Sequence, residues 1–376
     1  DITDEKNLTI NSGTGNITLV DIHGSETTPD TVLDIDGATV SVGNIGQSGA
    51  KSEINQVDID ATNVTLNGAI YVGGTSSKVD IDGAVSLATG DILIDSITSD
   101  GAVTITGTVT GTQNLDILTG TALATITGNI GGGGTPLTSL DINNANTGGD
   151  TGGVTLGGNI GVGTTSGTTP GVALLNLGNN HTTGAITLSG TVYNTSDDIV
   201  IKGGSYAINA TSGDVTIVTS GDPVTFGTST MTGDLTIGEK KLTIDTDTGN
   251  ASGGAITFHG DILGADTGNN ATNTAADVVL DAVAATVTVK SIGANGTVAS
   301  NTASDEINDI SITGGTIKLS GVYNSTGLGT QGGSAAGDDD GAISFTGAVQ
   351  FVGDTTIDSD SSNDGAISFG STINDD

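Results

Sequence analysis

The chain has 376 residues and a formal net charge of −35, because 43 acidic residues outnumber 8 basic residues, all of them lysine. This charge repels nucleic acid and anionic lipid, and the lack of arginine removes the bidentate clamp that proteins use for phosphate. Cysteine is absent, which excludes disulfides and thiolate metal sites, and no apolar run approaches the roughly 18 residues of a membrane-spanning helix.

The composition predicts strands and turns in place of helices. There are 62 glycines, aromatic residues make up 2% of the chain, and glutamate occurs only at positions 5, 26, 53, 239 and 306. Good helix formers are therefore scarce. The apolar residues, 34% of the chain, alternate with polar ones, which is the period of a strand with one buried face.

The first strongly patterned segment repeats one phrase three times. It reads LDIDGATV from Leu33, VDIDATNV from Val57 and VDIDGAVS from Val79. If the chain completes one coil between copies, equivalent side chains lie above each other. We then expect the apolar residues to form inward columns and the aspartates to form two outward columns.

These outward columns are the main candidate metal site. Hard cations such as Ca²⁺ take carboxylate oxygens, and carboxylates stacked about 5 Å apart repel each other unless a cation or salt screens them. Further acidic clusters occur in DTDTGN and GDDDG, and none has EF-hand spacing. Two interpretations stay open, specific Ca²⁺ sites and a solvated acidic face. The candidate ligands are Asp34, Asp36, Asp58, Asp60, Asp80, Asp82, Asp245, Asp247, Asp338, Asp339 and Asp340.

Further along the chain, strand phrases recur with turn-rich segments between them. LDIL starts at 115 and LDIN at 140, GDVTI, GDLTI and GAITF start at 213, 233 and 254, and GAISF starts at 341 and 365. The turn-rich segments that begin at Asn129, Gly161, Gly264 and Gly327 are predicted to be surface loops inserted between coils. Because strand phrases resume after each of them, we predict one continuous repeat domain over residues 1–376.

Imperfect repeats of about 20–25 residues, made only of strand and turn phrases, are typical of stacked repeat architectures. Leucine-rich repeats need a Leu and Asn consensus, and propeller blades need about 40 residues with aromatic signatures, and neither pattern occurs. The sequence therefore predicts an all-β chain folded as a right-handed parallel β-solenoid (β-helix). At about 20 residues per coil, it predicts about 16–19 coils with loop insertions.

Three segments resemble the repeats of filamentous-haemagglutinin-type adhesins. GTPLTSLDINNA from Gly134, following ATITGNIGG from Ala124, looks like a strand ending in GxIG and then the phrase G-T-x-P-L-x-S-L-x-V. KLTIDTDTGNASGGAITFHGDI from Lys241 and DTTIDSDSSNDGAISFGSTIND from Asp354 are similar to a second repeat class of the same giant secreted proteins. The resemblance implies a bacterial extracellular β-solenoid that serves in adhesion, biofilm matrix or surface fibres. The secretion domain of two-partner-secreted members is not visible here, which leaves the export route open.

The sequence offers no catalytic constellation, and we predict that the chain is not an enzyme. The histidines, at 23, 181 and 259, form no HExxH or HxH pair, and no serine lies in a G-x-S-x-G elbow before a helix. The alternative is a carbohydrate-binding or carbohydrate-active β-helix protein. Such a protein would hold acidic sugars with Arg and Lys and neutral sugars with aromatic platforms, but Arg and Trp are absent. Aspartate is too abundant for paired carboxylates to be a signal.

The predicted function is structural or adhesive, as a rod or fibre in a surface layer, a matrix or an adhesin stalk that is extracellular or at the cell surface. Divalent cations, Ca²⁺ first, would stabilise it. The expected partners are further copies or further repeats of the same chain, end to end or side by side, and surface glycans. Nucleic acid and a membrane span are not expected. Because the sequence starts at Asp1 without a signal peptide, we interpret it as a processed product or a segment of a longer chain.

Overall fold

A computed structural model of the chain describes residues 6–24, 31–48, 54–74, 76–132, 136–145, 151–164, 169–210, 213–238, 240–247, 252–264, 276–293, 307–325, 341–359 and 365–375. Within these ranges the secondary structure is β-strand apart from one 3₁₀ turn, Ile97–Ser99. No helix of the described residues is long and apolar enough to cross a membrane. The strands pair in parallel with strands one coil away, which confirms the prediction of an all-β parallel β-solenoid.

The chain forms two compact units. The first comprises residues 1–162, 169–187 and 201–203, and the second comprises 163–168, 188–200 and 204–376. The strands of the first unit, the last of which ends one residue beyond it, are β1 (Leu8–Asn11), β2 (Asn16–Ile22), β3 (Val32–Ile45), β4 (Gln56–Leu66), β5 (Ile70–Tyr71), β6 (Lys78–Leu87), β7 (Ile92–Asp95), β8 (Ala102–Ile105), β9 (Val109–Gly111), β10 (Asn114–Leu118), β11 (Ala124–Ile126), β12 (Leu137–Ile142), β13 (Val154–Leu156), β14 (Val172–Leu177) and β15 (Ala185–Leu188).

The remaining strands belong to the second unit, except for Ile201 at the end of β17. They are β16 (Val192–Asn194), β17 (Ile199–Ile201), β18 (Ser205–Ile208), β19 (Val215–Val218), β20 (Val224–Phe226), β21 (Leu235–Ile237), β22 (Leu242–Asp245), β23 (Ile256–Phe258), β24 (Asp261–Gly264), β25 (Ala276–Asp281), β26 (Thr286–Val289), β27 (Ser291–Ile292), β28 (Ile307–Asn324), β29 (Ile343–Asp358), β30 (Ile367–Phe369) and β31 (Ile373–Asp375).

The strands of each unit form three stacks. In the first unit, one stack contains β1, the N-terminal halves of β3, β4 and β6, and then β8, β11, β13 and β15; we call it the first stack. The second contains β2, the C-terminal halves of β3, β4 and β6, and β9. The third contains β5, β7, β10, β12 and β14. Since each coil contributes a segment to every stack, side chains one coil apart become direct neighbours.

The core consists of apolar columns, as the repeated phrase predicts. In the first stack, Leu33, Val57 and Val79 lie in register, and so do Ile35, Ile59 and Ile81. All six side chains are fully buried. Burial of an aliphatic side chain of this size stabilises the folded state by about 1.5–3 kcal/mol relative to exposure. Columns of Val, Ile and Leu can therefore hold a thin core together with few aromatic residues.

Coil length varies along the chain, and the positions of register partners show it. One column of the first stack passes through Asp34, Asp58, Asp80, Thr104, Thr125 and Thr155. One column of the second unit passes through Ile217, Ile244, Leu280, Ile312, Phe345 and Phe369. The steps between partners are unequal in both columns and are longest in the second unit. The longer coils have extra residues between their strands. These residues leave the inward columns in register, because only the strands stack.

The phrases that start at 213, 233 and 254 show the effect of these insertions. Their strands are β19, β21 and β23, which pair with β22, β24 and β20 respectively. They therefore lie in three different stacks, and the regular spacing of the phrases is not the length of one coil. By contrast, LDIL and LDIN pair in direct register in β10 and β12, and the two GAISF copies pair in β29 and β30.

A glycine column closes the corner directly after the first stack. Gly83, Gly107, Gly128 and Gly158 follow one another in successive coils, and a Cβ built on each of the last three would overlap the carbonyl oxygen of the glycine one coil before. Gly83 also has φ +144°, a conformation that side chains disfavour. The backbones approach too closely here for any other residue, so the corner that follows Asp82 has a fixed path.

Candidate cation-binding face

The aspartates of the repeated phrase form two columns on the outward side of the first stack. Asp34, Asp58 and Asp80 lie in direct register on β3, β4 and β6, and Asp36, Asp60 and Asp82 lie in register beside them. Neighbouring strands are about 4.8 Å apart, and alternate residues of one strand are roughly 7 Å apart. We call these six side chains the acidic face. All of them are exposed or half-buried, whereas the apolar residues between them are buried.

Neutral hydrogen-bond donors terminate both columns. Thr9 Oγ1 donates to Asp34 Oδ2 over 3.4 Å, and Asn11 Nδ2 donates to Asp36 Oδ2 over 2.9 Å. At the other end, Thr106 Oγ1 donates to Asp82, and Thr104 lies in register with Asp80. Each of the two columns of carboxylates is therefore three coils long. The residues that continue each column beyond its ends are uncharged.

One lysine lies among the carboxylates. Lys78 Nζ is 3.6 Å from an oxygen of Asp58 and 3.8 Å from one of Asp80. The lysine side chain is 42% exposed, so each contact is worth about 1 kcal/mol at most. In the part of the chain that the structure describes, this is the only cation paired with the acidic face. One positive charge does not balance six carboxylates.

Burial, together with the charge that remains unbalanced, raises the pKa of two of the carboxyls. Burial is the main cause for Asp60, followed by repulsion from Asp58 and Asp82, and a hydrogen bond to Asp82 raises its pKa further. Burial is also the main cause for Asp80, where Lys78 opposes the rise in pKa, and Asp58 and Asp82 add to it. The ionised face is thus held at an electrostatic cost, which a bound proton or an added cation would relieve.

The other predicted ligands do not form comparable columns. Asp245, at the end of β22, lies in register with Asp281 on one side and with Val218 on the other. Asp247 follows the strand, and its backbone N–H donates to Asp245 Oδ1 over 3.0 Å in a tight turn. This pair therefore shapes a corner of the second unit. Asp338, Asp339 and Asp340 lie outside the described residues.

The structure brings together one acidic group that the sequence did not indicate. Carboxylate oxygens of Asp197, Asp198 and Asp222 all lie within 4.8 Å of one another. Burial raises the pKa of Asp198 and of Asp222, and repulsion from Asp197 adds to both. The signal was available in hindsight, because SDDI and GDPV place acids at the same offset before a strand. These residues are distant along the chain, and they meet only because their two coils stack in register.

Several other aspartates have a structural role that favours aspartate over glutamate at their positions. Their side-chain oxygens accept a hydrogen bond from a backbone N–H of the next coil, across one strand spacing. The short side chain reaches this N–H, and a longer glutamate would overshoot it. The pairs include Asp21 with Asn44 (3.1 Å), Asp100 with Thr121 (2.7 Å), Asp214 with Lys241 (3.2 Å), Asp234 with Asp261 (3.0 Å) and Asp309 with Ala342 (2.8 Å).

Three of the four tyrosines point into the core, whereas Tyr71 lies in register with Asp95 on the outward side. Tyr193, Tyr206 and Tyr323 are buried, and Tyr71 is half-buried. The hydroxyl of Tyr323 donates to the carbonyl of Val289 over 2.6 Å. A sugar-binding platform needs exposed rings, and none of the four tyrosines offers a fully exposed one. No histidine joins a metal-binding group among the described residues.

Comparison of the chain with protein-family models, with curated proteins and with solved structures yields no match. The resemblance to filamentous-haemagglutinin-type adhesins therefore stays a prediction that rests on the three quoted segments.

Proposed function

We propose that this chain is a structural or adhesive β-solenoid of an extracellular or cell-surface protein, in which repeated coils build a rod or fibre. The observation that carries the proposal is the uniform division of each coil. Apolar residues stack inward in register, and short polar residues, mainly Asp, Asn, Thr and Ser, stack outward. Such a sequence is devoted to repetition and a polar surface, and the burial of three of the four tyrosines argues against a carbohydrate site.

The physical basis of this role is the shared hydrogen-bond ladder. A strand in the interior of a stack pairs with one strand in the coil before and one in the coil after, so such a coil cannot move without breaking bonds on both sides. Short outward side chains also lose little conformational entropy when they are ordered in the folded state. Both features favour a stiff element that holds a shape and carries no moving catalytic part.

Electron microscopy of the purified chain, with and without EDTA, tests the structural role. We expect elongated particles or filaments. Compact globular particles under both conditions would contradict the proposal. An elongated particle that also hydrolysed or retained a polysaccharide would favour the carbohydrate-active alternative instead.

We further propose that the acidic face binds divalent cations, with Ca²⁺ preferred. Six carboxylates on three successive strands present the oxygen ligands that Ca²⁺ takes at about 2.3–2.6 Å, and the flexible geometry of Ca²⁺ suits a flat array. The carboxylates of the two columns repel one another, and Lys78 is the lysine paired with them among the described residues. A bound cation would therefore be stabilised because it relieves this repulsion. The competing interpretation is a face screened by dissolved salt alone.

Isothermal titration with CaCl₂ separates these two interpretations. The informative variant is Asp58→Asn/Asp60→Asn, which removes two charges from the middle coil of the face. The matched control is Asp354→Asn/Asp375→Asn, which removes two exposed charges from strands β29 and β31. A saturable heat in the wild type that is lost only in the first variant supports a site. Equal heats in all three proteins, abolished by 0.5 M NaCl, would show screening alone.

A further inference from the structure

A second carboxyl pair joins two coils of the first unit, away from the acidic face. Asp116 on β10 and Asp141 on β12 lie in direct register in the third stack. Both side chains are half-buried. Register places the two carboxyl groups on adjacent strands, about 4.8 Å apart. Two carboxylates cannot share a hydrogen bond without a proton, so a direct contact between these groups requires one proton between the adjacent coils.

The neighbours of the pair differ on its two sides. Asp141 Oδ1 accepts a hydrogen bond from Asn176 Nδ2 over 2.6 Å and another from Asn144 Nδ2 over 3.0 Å. Asp116 has Leu93 in register on its other side, which offers no donor. Amide donors suit an ionised carboxylate and an apolar neighbour suits a neutral carboxylic acid. When the pair binds a proton, Asp141 is therefore the acceptor and Asp116 carries the proton.

The charged groups around the pair are all acidic. Asp91 lies just before β7 and acts on Asp116 through its charge. Asp95 lies at the end of β7, where its carboxylate accepts the N–H of Ile97 over 3.0 Å. No lysine or histidine is among the described groups that act on Asp116. Burial first, and then repulsion from Asp141 and from Asp91, together raise the pKa of Asp116 to about 6.

We propose that Asp116 and Asp141 form a proton-operated clamp between the β10 and β12 coils, which tightens when Asp116 is protonated and loosens when it ionises. In the closed state the carboxylic acid donates across the strand spacing to a carboxylate fixed by two amides. In the open state two negative charges face each other on adjacent strands, half-buried and without a cation. The clamp makes the coils around residues 114–142 respond to acidity.

The sign of the effect follows from the direction of the pKa change. The pKa of Asp116 rises on folding, from an ordinary 3.8 to about 6, so the folded state binds the proton more tightly than the unfolded state does. The stabilisation is fully present below pH about 4 and is lost as the pH rises through about 6. The clamp therefore works in the opposite sense to an aspartate held by a lysine.

The test compares the wild type with Asp116→Asn, whose amide donates to Asp141 at every pH. Melting temperatures are measured from pH 5 to pH 8 in EDTA at constant ionic strength, with the exposed substitution Asp354→Asn as the control. Other carboxyls titrate in all three proteins, so the difference from the wild type isolates the clamp. We expect the wild type to lose several degrees relative to Asp116→Asn as the pH passes about 6, and no such step for Asp354→Asn.

Local hydrogen exchange provides a second readout that does not depend on the variant folding. In the wild type, peptides covering residues 114–118 and 137–142 should gain protection at pH 5 relative to pH 8, after correction for the intrinsic exchange rate. Peptides from β28 and β29 serve as the reference. Parallel melting curves for the wild type and Asp116→Asn, or equal changes in protection in all peptides, would overturn the proposal.

Discussion

Asp60 lies in direct register beside Asp82, one coil further along the chain, so the two carboxyl groups face each other on the surface of the acidic face. The contact places two like charges on adjacent strands, an arrangement that ordinarily destabilises a sheet. Here it recurs in both columns over three coils. The fold supports it because the fully buried apolar columns behind the aspartates outweigh the repulsion in front of them.

The role of the single lysine on this face can be tested by substitution. Replacing Lys78 with Met keeps the aliphatic stem and removes the charge that lies near Asp58 and Asp80. We expect a loss of about 1 kcal/mol or less in the free energy of unfolding at low ionic strength, because the pair is well exposed. The loss should shrink in 0.5 M NaCl, where the Debye length is short. A loss that is the same at both salt concentrations would mean that packing of the stem, and not charge, is what Lys78 contributes.

The glycine corner should tolerate no side chain. In Gly107→Ala the new Cβ overlaps the carbonyl oxygen of Gly83, so one coil must shift against the next. We expect a loss of roughly 2 kcal/mol or more in the free energy of unfolding, measured by urea denaturation. Gly213→Ala is the matched control, because its Cβ would meet nothing within 4 Å. Equal stability of the two variants would show that the corner is more plastic than the structure indicates.

The apolar columns should carry most of the stability. Ile59 is fully buried between Ile35 and Ile81, and truncation to Ala leaves a cavity that the neighbouring coils cannot close. The expected loss is about 2–5 kcal/mol. Ile373 in β31 is 50% exposed, so Ile373→Ala should cost well under half as much. Chemical denaturation of both variants gives the comparison, and similar losses would contradict the column description of the core.

The use of aspartate as a cap between coils makes a prediction about side-chain length. Asp234 Oδ1 accepts the backbone N–H of Asp261 over 3.0 Å. Asp234→Asn keeps this acceptor at the same reach and should be close to neutral, whereas Asp234→Ala should cost about 1 kcal/mol. Asp234→Glu should resemble Ala, because the longer side chain overshoots. Faster hydrogen exchange at the Asp261 amide in the Ala and Glu variants, but not in Asn, is the readout; rescue by Glu would refute the length argument.

Local sequence patterns were sufficient for part of this structure. Period-two alternation identified the strands, and the three DID phrases identified which side chains face inward and which aspartates stack. The prediction succeeded there because the copies are nearly identical and the coils between them are similar in length. It also succeeded for LDIL with LDIN and for the GAISF pair, for the same reason.

Elsewhere the repeated phrases predicted the wrong stacking of strands, or gave no indication of which carboxyls meet. GDVTI, GDLTI and GAITF look like successive coils, yet their strands lie in three different stacks. Two acidic groups were not among the candidate sites: Asp197 with Asp198 and Asp222, and the Asp116–Asp141 pair. The LDIL and LDIN phrases already contained Asp116 and Asp141. In each case the missing information was the number of residues in the loops of a given coil.

The sequence by itself determined the fold class, the inward and outward assignment within each strand, and the strongly acidic exterior, because each of these depends on chemistry within a few neighbouring residues. The tertiary structure decided which strands stack and hence which carboxyls meet, which of them caps a backbone N–H, and which of them are half-buried. The physical reason is that the backbone ladder sets register only after the loops close, and loops of unequal length change the offset between one coil and the next.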